Sequence, residues 1–138
     1  MRKVVGVVVG MIAGGTLVGM VEGLGHVLFP LPKGVDATNI ESLKANMDKI
    51  PLGSMLFVLL GWIVGSGVGS AVAVWISRSS TVPGLIVGGL LMSGGIANLA
   101  MLPHPIWFSI AGFLVFLPSA WVGAQLVRQK ADRFEGPG

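Results

Sequence analysis

Four apolar runs decide what this chain can become. They cover residues 4–29, 52–76, 82–102 and 106–127, and each reaches the length of about 20 residues needed to cross a hydrocarbon core. Inside hydrocarbon every backbone N–H and C=O must be satisfied by the chain itself, so only helices or a closed barrel can span it. Runs of this length read as transmembrane helices, so the expected fold is all-α. We expect a polytopic membrane protein with a single membrane domain over residues 1–138, folded as an up-down-up-down bundle of four transmembrane helices. Composition agrees: 53% of residues are hydrophobic and 11% charged, against roughly 25% charged in a soluble domain. The main partner is therefore the lipid bilayer. The absence of cysteine removes disulfides, thiolate metal sites and thiol redox chemistry together. A net charge of +3 gathers beside the spans and forms no basic stripe, which argues against nucleic acid.

The connections carry most of the remaining information. The first run follows Met1-Arg2-Lys3, but it is longer than the 7–15 residues of a signal-peptide core and lacks a small-x-small cleavage pattern. We read it as a retained span. Pro30-Leu31-Pro32 ends it, because proline lacks an amide donor and restrains the residue before it. In the loop 30–51, Thr38-Asn39-Ile40-Glu41 matches a capping box, and Ile40, Leu43, Met47 and Ile50 recur at helical spacing. A short outer amphipathic helix at the interface is expected there. Arg2, Lys3, Arg78, Arg128, Lys130 and Arg133 all fall on one side of a four-span arrangement. On the other side, Lys33, Lys44 and Lys49 are balanced by Asp36, Glu41 and Asp48. The positive-inside rule then places both termini in the cytoplasm, with a polar, frayed tail over 128–138, in a bacterial inner membrane.

Glycine sets the packing. Gly6-Gly10-Gly14 and Gly15-Gly19-Gly23 form two series at four-residue spacing, the GxxxG pattern of close helix approach. At about 100° per residue, Gly15, Gly19, Glu22 and His26 share one narrow helix face. The second series is therefore expected to face the bundle and to carry Glu22 and His26 inward with it. Glu22 is the only carboxylate inside an apolar run, and an ionisable residue there marks a candidate site. Four antiparallel spans bring Asn98 and His104 to a similar depth, giving a candidate polar site of Glu22, His26, Asn98 and His104. The i, i+4 spacing of Glu22 and His26 suits two ligands of a divalent metal, with His104 as a third. It equally suits a Glu–His hydrogen-bonded pair that fixes packing. Asn98 is expected to bond across helices, and His104, between Pro103 and Pro105, reads as an interfacial loop histidine. Trp75, Trp107 and Trp121 fall at span ends as belt anchors, whereas Trp62 lies within the second span.

Two stretches carry a resemblance. Glu22-Gly-Leu-Gly-His26-Val-Leu-Phe-Pro30-Leu-Pro32 and Ile96-Ala-Asn98-Leu-Ala-Met-Leu-Pro103-His104-Pro105-Ile-Trp107-Phe108 resemble a family of small uncharacterised bacterial four-helix integral membrane proteins. The resemblance implies a four-span bacterial membrane protein and brings no activity with it. Small multidrug transporters also place a glutamate in the first of four helices, but Glu22 lies late in its run and the chain has no tyrosine.

We expect a small integral inner-membrane protein, acting as an accessory or structural component, with a polar site in the outer leaflet. A homo-oligomer or a larger membrane complex would form through the glycine faces. One alternative is an oligomeric proton- or ion-coupled small transporter using Glu22. Another is a metal- or haem-binding membrane protein using His26 and His104. The chain has no evident nucleophile and no recognisable cofactor motif, so we do not expect an enzyme, and no particular cofactor is indicated.

Overall fold

The computed structural model describes residues 1–78 and 80–136. Ser79, in the turn after the second span, and Pro137 and Gly138, at the end of the polar tail, lie outside the described residues. The chain forms α1 (Arg2–Leu28), α2 (Ile40–Ala45), a 3-10 turn (Met47–Lys49), α3 (Leu52–Ser77), α4 (Val82–Met101) and α5 (Ile106–Glu135). No strand occurs among the described residues. α1, α3, α4 and α5 are long and apolar enough to cross a membrane, so the fold is the all-helical, four-span class expected.

Two elements differ from expectation. The tail does not fray after residue 127, because α5 continues to Glu135. The apolar run ends there, but Arg, Gln, Lys and Ala are good helix formers and carry the backbone ladder onward. The short helix of the 30–51 segment covers less than residues 38–50, and its cap is Asn39 instead of Thr38. Asn39 Oδ1 accepts the N–H groups of Glu41 (3.0 Å) and Ser42 (3.2 Å), satisfying two of the donors a helix start leaves free. The Thr38 hydroxyl donates instead to Asp36 Oδ1 at 2.7 Å, and its backbone N–H to the same oxygen at 2.9 Å. These two bonds pull the Asp36 carboxyl below its ordinary range. The helix tightens after Ala45, and Met47 is buried.

α3 is the central helix, packing on α1, α4 and α5. Its seam with α1 is made of glycine and backbone. A Cβ placed on Gly6 would lie 2.6 Å from the Ala73 carbonyl oxygen, one on Gly10 2.5 Å from that of Gly69, and one on Gly14 2.7 Å from that of Gly65. The seam continues through Val18 and Val21 against Gly61, and Gly25 against Phe57. Partner positions descend along α3 as they ascend along α1. The other series corrects the expectation: nothing lies within 4 Å of a Cβ on Gly15, Gly19 or Gly23. The two series are offset by about 100° on the helix, so only one can occupy the seam, and Gly6-Gly10-Gly14 does.

α4 and α5 close on the other side of α3. Gly84 and Gly88 meet Ala124 and Ala120, and Ser70 Oγ donates to the Ala120 carbonyl at 2.6 Å. Phe108 and Phe116 are fully buried beside Trp62. Trp62 is 4% exposed, against 66% for Trp75, 42% for Trp107 and 52% for Trp121, which separates one core tryptophan from three surface ones. Val4, Val8, Ile12, Leu90, Ile110 and Leu114 project outward, as expected of spans whose solvent is lipid.

Candidate functional site

All four expected polar residues line one cavity of about 180 Å³ at the end of the bundle that carries residues 30–51. Glu22 and His26 come from α1, Asn98 from α4 and His104 from the turn before α5. Leu43, Met47 and Ile50 of the 30–51 segment cover it, and Phe108 contributes to its wall. The periodicity that makes Leu43, Met47 and Ile50 an apolar edge therefore serves to roof this chamber.

The bonding within the site is not the expected Glu–His pair. Glu22 stands beside the α1–α3 seam, its Cγ 3.6 Å from where a Cβ on Gly61 would sit. Its Oε1 accepts the indole N–H of Trp62 at 3.1 Å. Trp62 is held by a stacked contact with Phe116 (centroids 5.0 Å apart, 29° between planes) and a tilted one with Phe108 at 5.7 Å. The carboxylate is thus bound to a ring with little freedom to follow it elsewhere. His26 is exposed at the rim, its Nδ1 3.5 Å from Ser54 Oγ.

His104 lies flat on Phe108, with centroids 4.6 Å apart and planes 9° from parallel. Its ring Nδ1 is 3.0 Å from the Leu102 carbonyl oxygen. A carbonyl only accepts, so Nδ1 carries the proton and the neutral ring keeps Nε2 as its acceptor. Burial pushes the His104 pKa down from its ordinary 6.5, and the Leu102 carbonyl partly opposes this. Burial wins because a half-covered imidazolium loses more hydration than one carbonyl returns. His104 is therefore more than a solvated loop residue.

Asn98 has no side-chain hydrogen-bond partner among the described residues, so the expected bond across helices is not formed. Its backbone carbonyl caps α4 by accepting from Leu102 N–H at 3.1 Å, while the side chain is exposed. Nor does the site gather metal ligands. Among the described residues no three of His, Asp and Glu are grouped to hold an ion. Glu22 is turned to Trp62, His26 to Ser54 and His104 to its own chain, which leaves Glu22, His26 and His104 without a common focus. A chamber of about 180 Å³ is also below the roughly 300–1,000 Å³ typical of cofactor-sized pockets, which disfavours haem between His26 and His104.

Trp62 and Ser54 belong to the site and were not read as its members from sequence. The available signal is the row Ser54, Met55, Leu59, Trp62, Ser66 and Ser70, buried along α3. Small polar residues recurring within one apolar run mark its inward face. Ser66 Oγ on this row is buried and without a partner among the described residues.

A second void of about 240 Å³ adjoins the chamber and shares Glu22 and Asn98 with it. α1 and α4 touch where Gly10 meets Val87 and Gly14 meets Leu91. Beyond Leu91 they part, leaving a cleft lined by Gly15, Val18, Gly94 and Gly95 with Trp62 and Phe116 behind them. Gly15, Gly94 and Asn98 are exposed along it. No family model, curated protein or solved structure matches this chain.

Proposed function

We propose that this protein is a small, non-catalytic integral protein of the bacterial inner membrane that holds a polar group in a roofed outer-leaflet chamber. It would serve there as an accessory or structural component, of the kind suggested by the small four-helix proteins its sequence resembles. Its four spans run up-down-up-down, with both termini cytoplasmic and the 30–51 segment outside, which follows the placement of its arginines and lysines. The observation carrying the functional reading is the single chamber lined by Glu22, His26, Asn98 and His104 under Leu43, Met47 and Ile50. The close packing of α1 on α3, glycine to backbone, supports a fixed scaffold around the chamber and so binding over transport.

The test combines orientation with flux. A membrane-impermeant thiol reagent is expected to label Ser42→Cys in intact cells and Gln129→Cys only after permeabilisation. In proteoliposomes we expect no proton flux that depends on Glu22. Flux abolished by Glu22→Gln would overturn the accessory reading in favour of a proton-coupled transporter.

A further inference from the structure

α5 continues past its apolar run, and α3 stops beside it. Between the last turns of α3 and the polar turns of α5 lies a cavity of about 560 Å³, within the roughly 300–1,000 Å³ of ordinary ligand sites. It sits at the end that carries the termini, away from the roofed chamber. Residue count orders its lining along the helices. Val74, Trp75 and Val127 belong to the ends of the apolar runs, and Arg78, Arg128 and Lys130 follow within about a turn of them. The exposed Trp75 marks that boundary as an interfacial anchor. Three cations therefore gather where the apolar surface gives way, the depth of lipid phosphates. Asp132 and Glu135 also line the cavity. They stand four and seven residues past Arg128, about 6 and 10 Å farther along the helix axis.

None of the three cations is neutralised within the protein. The one ion pair among the described residues joins Lys44 and Glu41, at the other end of the molecule. Arg128 and Asp132 have the i, i+4 spacing at which side chains can meet, yet they form no ion pair. A further observation concerns Arg78. It ends α3 in the left-handed conformation, with φ 49° and ψ 36°, and it is the one non-glycine residue with positive φ among the described residues. Glycine takes this position at helix ends without steric cost, whereas an arginine is strained there. A long cation is thus kept beside the cavity against the local backbone preference, the kind of outlier that accompanies ligand clamps.

We propose that this cavity holds the headgroup of one anionic phospholipid from the leaflet at that end. Arg78, Arg128 and Lys130 take its phosphate, and Val74, Trp75 and Val127 receive the glycerol and the start of the acyl chains. Arginine suits phosphate because its planar fork donates two parallel hydrogen bonds to a pair of phosphate oxygens. A lipid of net negative charge is favoured because an ethanolamine lipid brings its own ammonium to the same three cations. The two carboxylates lie farther out, where salt screens them over about 8 Å. This inference does not depend on the reading of the chamber.

The full chain is purified in mild detergent, delipidated, mixed with equal phosphatidylglycerol and phosphatidylethanolamine, and weighed intact by native mass spectrometry. The expected result is one retained phosphatidylglycerol, favoured over phosphatidylethanolamine by about fivefold or more, at least the worth of one basic residue at an anionic surface. Arg78→Gly removes the guanidinium and relieves the left-handed backbone together. Its melting temperature should not fall, while retention drops about fivefold. Arg128→Gln should lower retention equally. Arg133→Gln removes the same charge from the same helix but off the cavity lining, and should leave retention unchanged. Equal losses in Arg128→Gln and Arg133→Gln would mean diffuse attraction between charges and overturn the site. Equal retention of the two lipids overturns the choice of ligand, and full retention in both Arg78→Gly and Arg128→Gln overturns the proposal outright. Glycerol 3-phosphate, which carries the phosphate without tails, is added as a competitor. Failure to displace the lipid at equal concentration is expected, and displacement would assign the cavity to a soluble phosphate instead.

Discussion

An indole N–H aimed at a carboxylate inside a span is a bond whose loss strands both groups in a poor solvent. Trp62 and Glu22 make it at 3.1 Å, and the ring is fixed by Phe108 and Phe116. In a double-mutant cycle of Trp62→Phe and Glu22→Gln, followed by unfolding in mixed micelles, we expect a coupling of about 0.6–1.7 kcal/mol, the range of side-chain bonds in membranes. Glu22→Gln alone should cost less than Trp62→Phe, because the glutamine carbonyl can still accept the indole proton. A coupling near zero would mean that the two groups do not rely on each other. His104 gives a pH signature. Its pKa is lowered in the folded protein, so between the folded and ordinary values the unfolded chain binds more protons there. Its contribution to stability is complete above pH 6.5 and is lost as pH falls through the lower folded value. His104→Phe keeps a ring on Phe108 and removes the titration. The wild type should therefore lose more stability than this variant between about pH 7 and pH 5, and parallel profiles would contradict the burial of His104.

At the scale of elements, the α1–α3 seam makes a sharp distinction between glycines that look alike in sequence. Gly10→Val must move backbone, because its Cβ would sit 2.5 Å from the Gly69 carbonyl oxygen. A loss of about 1–3 kcal/mol is expected, as for overpacking generally. Gly19→Leu meets nothing and should change stability by about 0.5 kcal/mol or less. Unfolding of both variants in the same micelles decides the matter, and equal effects would refute the seam. The existence and type of all four spans were legible, since twenty apolar residues leave a chain few choices. Which glycine series packs was not. Both series carry the same spacing, and the choice depends on Gly65, Gly69 and Ala73 of α3 presenting bare backbone at matching heights. That the four polar residues meet at one cavity was legible because depth along a span follows from residue count. Their bonds were not, because Trp62 reaches Glu22 through a rotamer fixed by Phe116, and no spacing rule encodes that.

Across the whole molecule, the two ends are built from different materials. At the end holding the termini, helices meet as glycine on backbone, with Ser70 tied to Ala120 at 2.6 Å. At the roofed end, Phe29 folds back on Phe57 with centroids 6.0 Å apart, and the flexible Met47 and Met55 pack with Leu59, Trp62 and Phe108 beside the chamber. Between helices that are already formed, glycine has no rotamers left to freeze, whereas burying a methionine costs up to about 2 kcal/mol of side-chain entropy. The glycine seam thus gives up little freedom on forming and regains little on parting, while the roofed end is held against a large entropic return. Warming should melt the molecule from the roof downward. With Trp62 as the sole tryptophan, its emission should shift at a lower temperature than the far-ultraviolet signal of the helices, and the interval between the two should widen as phenylalanine and methionine at the roof are shortened.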